Sequence, residues 1–370
     1  MTSLASNRIV RYLLLIVAIA ACAALWWRWR SGGDTPGGAG RDVVTESISI
    51  PSARAGVSTS DPLGEPDAEL AAGLGVIAAE LGITELAAHG RASVMLVDMG
   101  GMTEETGKDA AGGATGDGRR AVPRYAGIAA DSTLAAASVT KLAILAAAYA
   151  AAEAGEIAIT PDLRAVLERM IRYSTNPEAT RAIEVLGFER IVAAMRDPRI
   201  ALYDEARGGL WVGRDFTSRT VWQVEPLSGE SLAASAAAVA RFYVLMARGE
   251  LVSPDASAAM RDILAVTMWK HKFVAGLGAG IGRVQPPPAR AASEPVVVPG
   301  YRVWRKSGSY GPAQGDSALI EADGRRYVLV CLLEDREGGE AKLQQLAAQV
   351  DRMMAGRSRL QAPEAGREKK

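Results

Sequence analysis

The chain has 370 residues, a formal net charge of zero and 49% apolar residues, enough for one large core or two smaller ones. Neutrality, with no basic stripe interleaved with aromatics, excludes a nucleic-acid binder. Two cysteines, Cys22 and Cys331, and two histidines, His89 and His271, exclude a disulfide framework and a Cys/His zinc cluster, and fit a Ser-His-Asp triad poorly.

In chain order, Arg8 and Arg11 precede an apolar run from Tyr12 to Trp27, which Arg28, Trp29 and Arg30 follow. Residues 1–30 read as a targeting segment with two alternatives. One is an uncleaved signal anchor with interfacial tryptophans. The other is a lipoprotein signal, because Ile19-Ala20-Ala21-Cys22 resembles a lipobox. Either is expected to hold the rest of the chain at a membrane, on its periplasmic or extracellular side. Residues 31–61 are rich in Gly, Ser, Thr and Pro and read as a flexible linker. The globular domain is expected over 62–355, with a polar, frayed tail over 356–370.

Within the domain, Ala68–Leu81 has a helical pattern and Ala92–Met99 a strand pattern, followed by a Gly-rich loop to Gly118. Arg124–Ile128 reads as a second strand. Helical patterns fill Asp162–Ala265, broken around Ala201–Pro226. Tyr301–Lys306, Ser317–Glu321 and Arg326–Leu333 read as three strands, the last two joined by a hairpin turn at Asp323-Gly324. Ala341–Met354 closes the domain as an amphipathic helix. The order predicts an α+β fold in which a helical lobe is inserted into one antiparallel sheet.

The segment with most chemical content is Ser138-Val139-Thr140-Lys141, at the start of the alanine-rich run Leu142–Ala154. A spacing of three puts both side chains on one face of a helix. A helix start also offers unpaired N–H groups and a positive dipole end to a developing negative charge. A serine hydroxyl is a weak nucleophile until a base takes its proton, and a desolvated lysine can be that base. The chain has only eight lysines, and Lys141 sits in an apolar helix, where an ammonium is costly unless paired or used.

Two further motifs follow in order. Ser174-Thr175-Asn176 stands after the amphipathic run Leu163–Tyr173 and before Pro177, and Lys306-Ser307-Gly308 ends the strand that begins near Tyr301. Each alone is an ordinary turn or strand end. Together and in this order they resemble the three signature elements of the penicillin-recognising serine hydrolases, which include class A β-lactamases, penicillin-binding proteins and DD-peptidases. The likeness spans Ala68 to Met354. It implies a β-lactamase/transpeptidase-like fold: an antiparallel five-stranded sheet flanked by helices, plus an all-helical lobe.

The resemblance also implies roles. Ser138 is the acylated nucleophile, Lys141 its base or proton relay, and Ser174 passes a proton towards the leaving group. Asn176 hydrogen-bonds the substrate amide and Lys141. Lys306 holds a substrate carboxylate, with Ser307 as a further donor and Gly308 allowing close backbone approach. The N–H groups of Ser138 and Ser309 form an oxyanion hole, each such donor contributing about 2.7–4 kcal/mol. No metal or cofactor is implied, and the domain is expected to be monomeric. The substrate is a small molecule or cell-wall peptide with a carboxylate.

The departures from class A are specific. The Glu-x-x-Leu-Asn motif that activates the deacylating water is missing, and Glu225-Pro226-Leu227 is its nearest echo. The Ser138–Ser174 gap is shorter than class A usually shows, and the Asn176–Lys306 stretch is longer. His271, between Lys270 and Lys272, is expected in a solvated loop that gives the pocket rim positive charge. Slow deacylation follows, as in penicillin-binding proteins. The alternative is a non-catalytic module that binds cell wall or β-lactam.

Overall fold

The computed structural model describes residues 61–100, 122–269, 271–277 and 295–361. The chain divides into units 1–56 and 57–370, and every described residue belongs to the second. The expected anchor, Cys22 and all of the linker except Asp61 lie outside the described residues. Among the described residues no helix is long and apolar enough to cross a membrane.

The strands are β1 (Glu65–Pro66), β2 (Ala92–Asp98), β3 (Arg124–Ile128), β4 (Leu134–Ala135), β5 (Tyr203–Asp204), β6 (Gly208–Gly209), β7 (Trp211–Val212), β8 (Leu232–Ala234), β9 (Arg302–Tyr310), β10 (Ala313–Ala322) and β11 (Arg325–Glu334). The helices are α1 (Ala68–Glu80), α2 (Ile83–Ala88), α3 (Lys141–Glu153), α4 (Pro161–Arg172), α5 (Asn176–Leu186), α6 (Phe188–Arg196), α7 (Ala236–Arg248), α8 (Pro254–Leu264), α9 (Lys272–Leu277) and α10 (Gly339–Gln361). The main sheet runs β1-β3-β2-β11-β10-β9. Its five longer strands are antiparallel, as expected. A sixth, two-residue strand corrects the expected count: β1 pairs in parallel with β3. Pro66 has no N–H to donate, which confines it to such an edge.

The strands alternate their side chains between two apolar layers. Met95 and Val97 face one core with α3 to α8, while Val94 and Leu96 face the other with α1, α9 and α10. Helix α3 is the centre of the first layer. Leu142 to Ala148 are fully buried, as a helix apolar on all sides requires. Helix starts follow the sequence: Thr160 accepts from Leu163 N before Pro161, and Ser253 accepts from Ala256 N before Pro254. The Asp323-Gly324 turn forms as expected, both residues having positive φ (43° and 73°).

Two expectations need correction. Lys306-Ser307-Gly308 does not end its strand, because β9 continues to Tyr310 and pairs with β10, Ser317 opposite Lys306 and Gly315 opposite Gly308. The residues after Gly356 do not begin a frayed tail, since α10 continues to Gln361. Arg357 holds that last turn by ion pairs to Asp67, Glu69 and Asp98. Ser138 stands just before the helix, as expected, in a tight three-residue-repeat turn over Ala137–Thr140 that leads into α3.

Candidate active site

Ser138 follows Ala137, whose positive φ of 47° turns the chain from β4 into the helix. It is half-buried and lines a cleft of about 260 Å³ with Asn176, Phe216, Arg214, Ser309 and Tyr310. A larger depression of about 350 Å³, lined by Met95, Tyr125, Asp204, Arg207 and Arg241, contains none of the motif residues. Of the two, the smaller cleft is the one that the motif residues Ser138, Asn176 and Ser309 line.

Lys141 is the first residue of α3 and is fully buried. Its Nζ donates to Ser174 O (2.7 Å), Thr175 O (3.1 Å) and Asn176 Oδ1 (3.0 Å). Those acceptors converge because Ser174 has positive φ (60°) and reverses the chain between α4 and α5. Lys306, buried on β9, donates to Ser174 Oγ (2.9 Å) and to Ser307 O (2.7 Å). Lys141 and Lys306 thus hold Ser174 at different atoms, its carbonyl and its hydroxyl, beside Asn176, which lines the cleft. Ser307 joins this cluster through its carbonyl and is not among the residues that line the cleft.

Gly308 brings β9 against the Ser138 turn. A Cβ there would lie 2.6 Å from Ala136 O and 2.9 Å from both Ser138 N and Val139 N. Only glycine permits that approach. Lys272, at the start of α9, secures the same strand from beneath. Its buried Nζ donates to Gly308 O (2.6 Å), Ser309 Oγ (2.7 Å) and Gly315 O (3.2 Å). Arg305 and Asp316 form a buried ion pair (2.7 Å) across β9 and β10, and Asp316 also accepts from Phe273 N (3.0 Å).

These buried cations perturb one another. Burial pushes the Lys141 amine down to about 7 from 10.5, partly opposed by the Glu178 carboxylate. Lys306 is pushed well below its ordinary value, first by burial and then by the charges of Lys141 and Arg305. Lys272 is brought to about 8 by burial, opposed by Asp316. The face of Lys141 not used for hydrogen bonds meets the Phe216 ring, 4.8 Å from Nζ to the centroid. A buried aromatic there excludes water.

Two candidates fall outside the reactive group. Glu225 is fully buried, but in a loop of its own. Its carboxylate accepts from Tyr203 OH (2.8 Å), Leu227 N (3.1 Å), Ser228 N (2.6 Å) and Ser228 Oγ (2.7 Å). Burial raises its proton affinity, yet the bonds from Ser228, Tyr203 and Leu227 prevail and hold it below the usual range. It ties the 225–229 turn rather than facing Ser138. His271 is not a solvated rim residue. It packs against Trp269 and accepts from Arg305 Nη2 at Nδ1 (2.8 Å). Burial and the adjacent guanidinium push it down to about 3, so it adds no positive charge near neutrality. Sequence reasoning missed Lys272, Phe216 and the arginines of the cleft. Among the described residues no His, Cys, Asp and Glu group is placed to hold a metal ion.

A model of the beta-lactamase enzyme family matches residues 158–353, more than half of the chain, and the chain belongs to that family. The match includes Ser174, Asn176 and Lys306 but begins after Lys141. No curated protein matches. Among solved structures, an acyl-enzyme complex of PBP-A with penicillin G is similar, with TM-score 0.51 and 17% identity over 76% of this chain and 97% of that one. A variant of the last common ancestor of Gram-negative class A β-lactamases gives TM-score 0.52 and 17% identity, over 76% and 99%. The β-lactamase of Sphaerobacter thermophilus gives 0.50 and 17%, over 76% and 97%. At such identities these structures share the fold, which is class A β-lactamase-like.

Proposed function

We propose that this chain is a membrane-tethered, extracytoplasmic serine hydrolase that opens an amide or ester carbonyl through an acyl-enzyme on Ser138. Its substrate is a β-lactam or a peptidoglycan-like peptide with a carboxylate. The observation that carries this reading is the meeting of two buried lysines at Ser174, beside the cleft that Ser138 lines. A buried lysine held near pKa 7 has a substantial neutral fraction at neutral pH and can take a proton from Ser138. The hydroxyl oxygen attacks the carbonyl carbon, and the Ser138 and Ser309 N–H groups stabilise the oxyanion. The proton then passes by way of Ser174 to the leaving nitrogen or oxygen. Lys306 is the cation for the substrate carboxylate, and Asn176 binds the amide; Ser307, which does not line the cleft, has no part in it.

Hydrolysis needs a second base, for the water that attacks the ester. Glu225 is engaged in its own turn, and Phe216 covers Lys141. Deacylation is therefore slow. A module that binds without turnover is favoured by one feature: Lys141 Nζ has three acceptors, the full donor set of an ammonium. To act as a base it must release one of them. Fluorescent penicillin followed by mass spectrometry separates the two readings. An adduct on Ser138, lost in Ser138→Ala, is the expected result; reversible binding with no adduct in the unsubstituted protein overturns the hydrolase reading.

A further inference from the structure

The cleft has a basic wall that the mechanism does not use. The segment from Gly213 to Trp222 forms a hairpin: Arg214 bridges Val221, Trp222 N donates to Gly213 O (2.8 Å), and Asp215 N donates to Thr220 O (2.9 Å). It is fastened at two points. Thr217 Oγ1 bonds Thr180 Oγ1 (2.9 Å) on α5, and Trp222 stacks on Phe188 at 5.4 Å. The hairpin presents Arg214 and Arg219 to the cleft, where both guanidiniums lie over the Tyr310 ring, 4.9 and 5.5 Å from its centroid.

Neither arginine has a carboxylate ion pair among the described residues. Asp215 caps the hairpin turn by accepting from Thr217 N (2.8 Å) and Ser218 N (2.5 Å). Arg214 Nε is buried and has no hydrogen-bond partner among the described residues. That Nε is out of a ligand's reach, but the rest of the half-buried Arg214 side chain lines the cleft, where a ligand carboxylate is the acceptor a guanidinium fits best. Arg219 has positive φ (63°), a conformation uncommon for a residue with a Cβ, at the exposed tip.

We infer that Arg214 and Arg219, spread over Tyr310, form an anion subsite for a second carboxylate, carried on the acyl part of the substrate. This rests on the acyl-enzyme reading, which gives the first carboxylate to Lys306 and the amide to Asn176. The hairpin docks on α5, the helix that Asn176 begins, so its arginines stand on the amide side of the cleft. The preferred substrate class is a di-acidic acyl donor: a penicillin with a carboxylated side chain, or a peptide with an acidic residue next to the bond that breaks.

The test uses a matched pair, benzylpenicillin and its α-carboxyl analogue, which differ only in the second carboxylate. Acylation should be about tenfold faster for the dicarboxylate, the ratio given by roughly 1.4 kcal/mol of charge-assisted bonding. The ratio should fall towards one in Arg214→Gln/Arg219→Gln, and as salt rises from about 20 to 500 mM. Arg219→Gln alone, at the exposed tip, should give an intermediate ratio in a folded protein. Equilibrium affinities of the pair for Ser138→Ala should show the same preference. If the unsubstituted protein forms no adduct with either compound, the acyl-enzyme reading fails and that equilibrium preference decides the subsite. Equal rates and affinities for the pair, or a preference that survives the double substitution, overturn it.

Discussion

Gly308→Ala tests whether the contact between β9 and the Ser138 turn sets the reactive geometry. The new Cβ would sit 2.6 Å from Ala136 O and 2.9 Å from the Ser138 and Val139 nitrogens. All three are backbone atoms, so no side chain can swing away. To reach ordinary van der Waals separation, the strand and turn must part by about 0.8 Å. Overpacking of this kind costs about 1–3 kcal/mol, which lowers Tm by about 2–10 °C in a domain of this size. The catalytic cost is larger, because a displacement near 1 Å between reacting groups costs about 10²-fold in rate. Both strand and turn supply oxyanion donors in the proposed mechanism, and the displacement separates them. Scanning calorimetry gives the first quantity and stopped-flow acylation by a fluorescent penicillin the second. Gly75→Ala is the control: Gly75 lies in α1 with open space around its Cβ position, and alanine there should stabilise by about 0.5–1 kcal/mol. A Gly308→Ala protein with unchanged Tm and an acylation rate within about threefold of normal would refute the reasoning.

Acylation should follow the neutral form of Lys141: with its pKa lowered to about 7, the rate should climb about tenfold per pH unit below 7 and level off above it. A profile flat from pH 5 to 8, or still rising past pH 9, removes Lys141 as the base. The penicillin adduct on Ser138 should persist for minutes, since losing a positioned base costs about 10²–10⁴-fold in rate. Rapid steady-state turnover with no adduct seen by mass spectrometry contradicts that. Glu225→Gln should lower stability by about 1–3 kcal/mol, because the amide cannot accept all the bonds from Tyr203, Leu227 and Ser228, and adduct lifetime should not change. A lengthened lifetime without loss of Tm would return Glu225 to the reaction.

The motifs were legible because each is a short local spacing. A serine and a lysine three apart share one face of a helix start, and Ser174 and Asn176 share one turn; that the lysine reaches that turn, 33 to 35 residues on, is set by tertiary packing. The long strands were legible from alternation and the Asp323-Gly324 turn. What failed depended on tertiary placement. Lys272, beside a histidine and a second lysine in sequence, reads as a solvated loop residue, yet its amine lies between two strands with three acceptors. The Arg214–Arg219 hairpin falls in a stretch without periodicity, where nothing local says which side chains share a cleft. Glu225 had the right residue type in the right segment, and only the direction of its hydrogen bonds shows that it serves the loop.

Ser174 has a mechanical consequence as well as a chemical one. Lys306 comes from the sheet and Lys141 from the central helix of the helical layer, and each grips a different atom of this one residue. The cluster is therefore also a bolt between the helical layer and the sheet. A relative with the same fold but no catalysis would still need both lysines to keep its halves in register. Ser138 belongs to neither grip, so it could drift first. Under the proposed mechanism, position 138 is then what distinguishes an enzyme from an inactive relative, and the lysines mark only that the bolt has been kept.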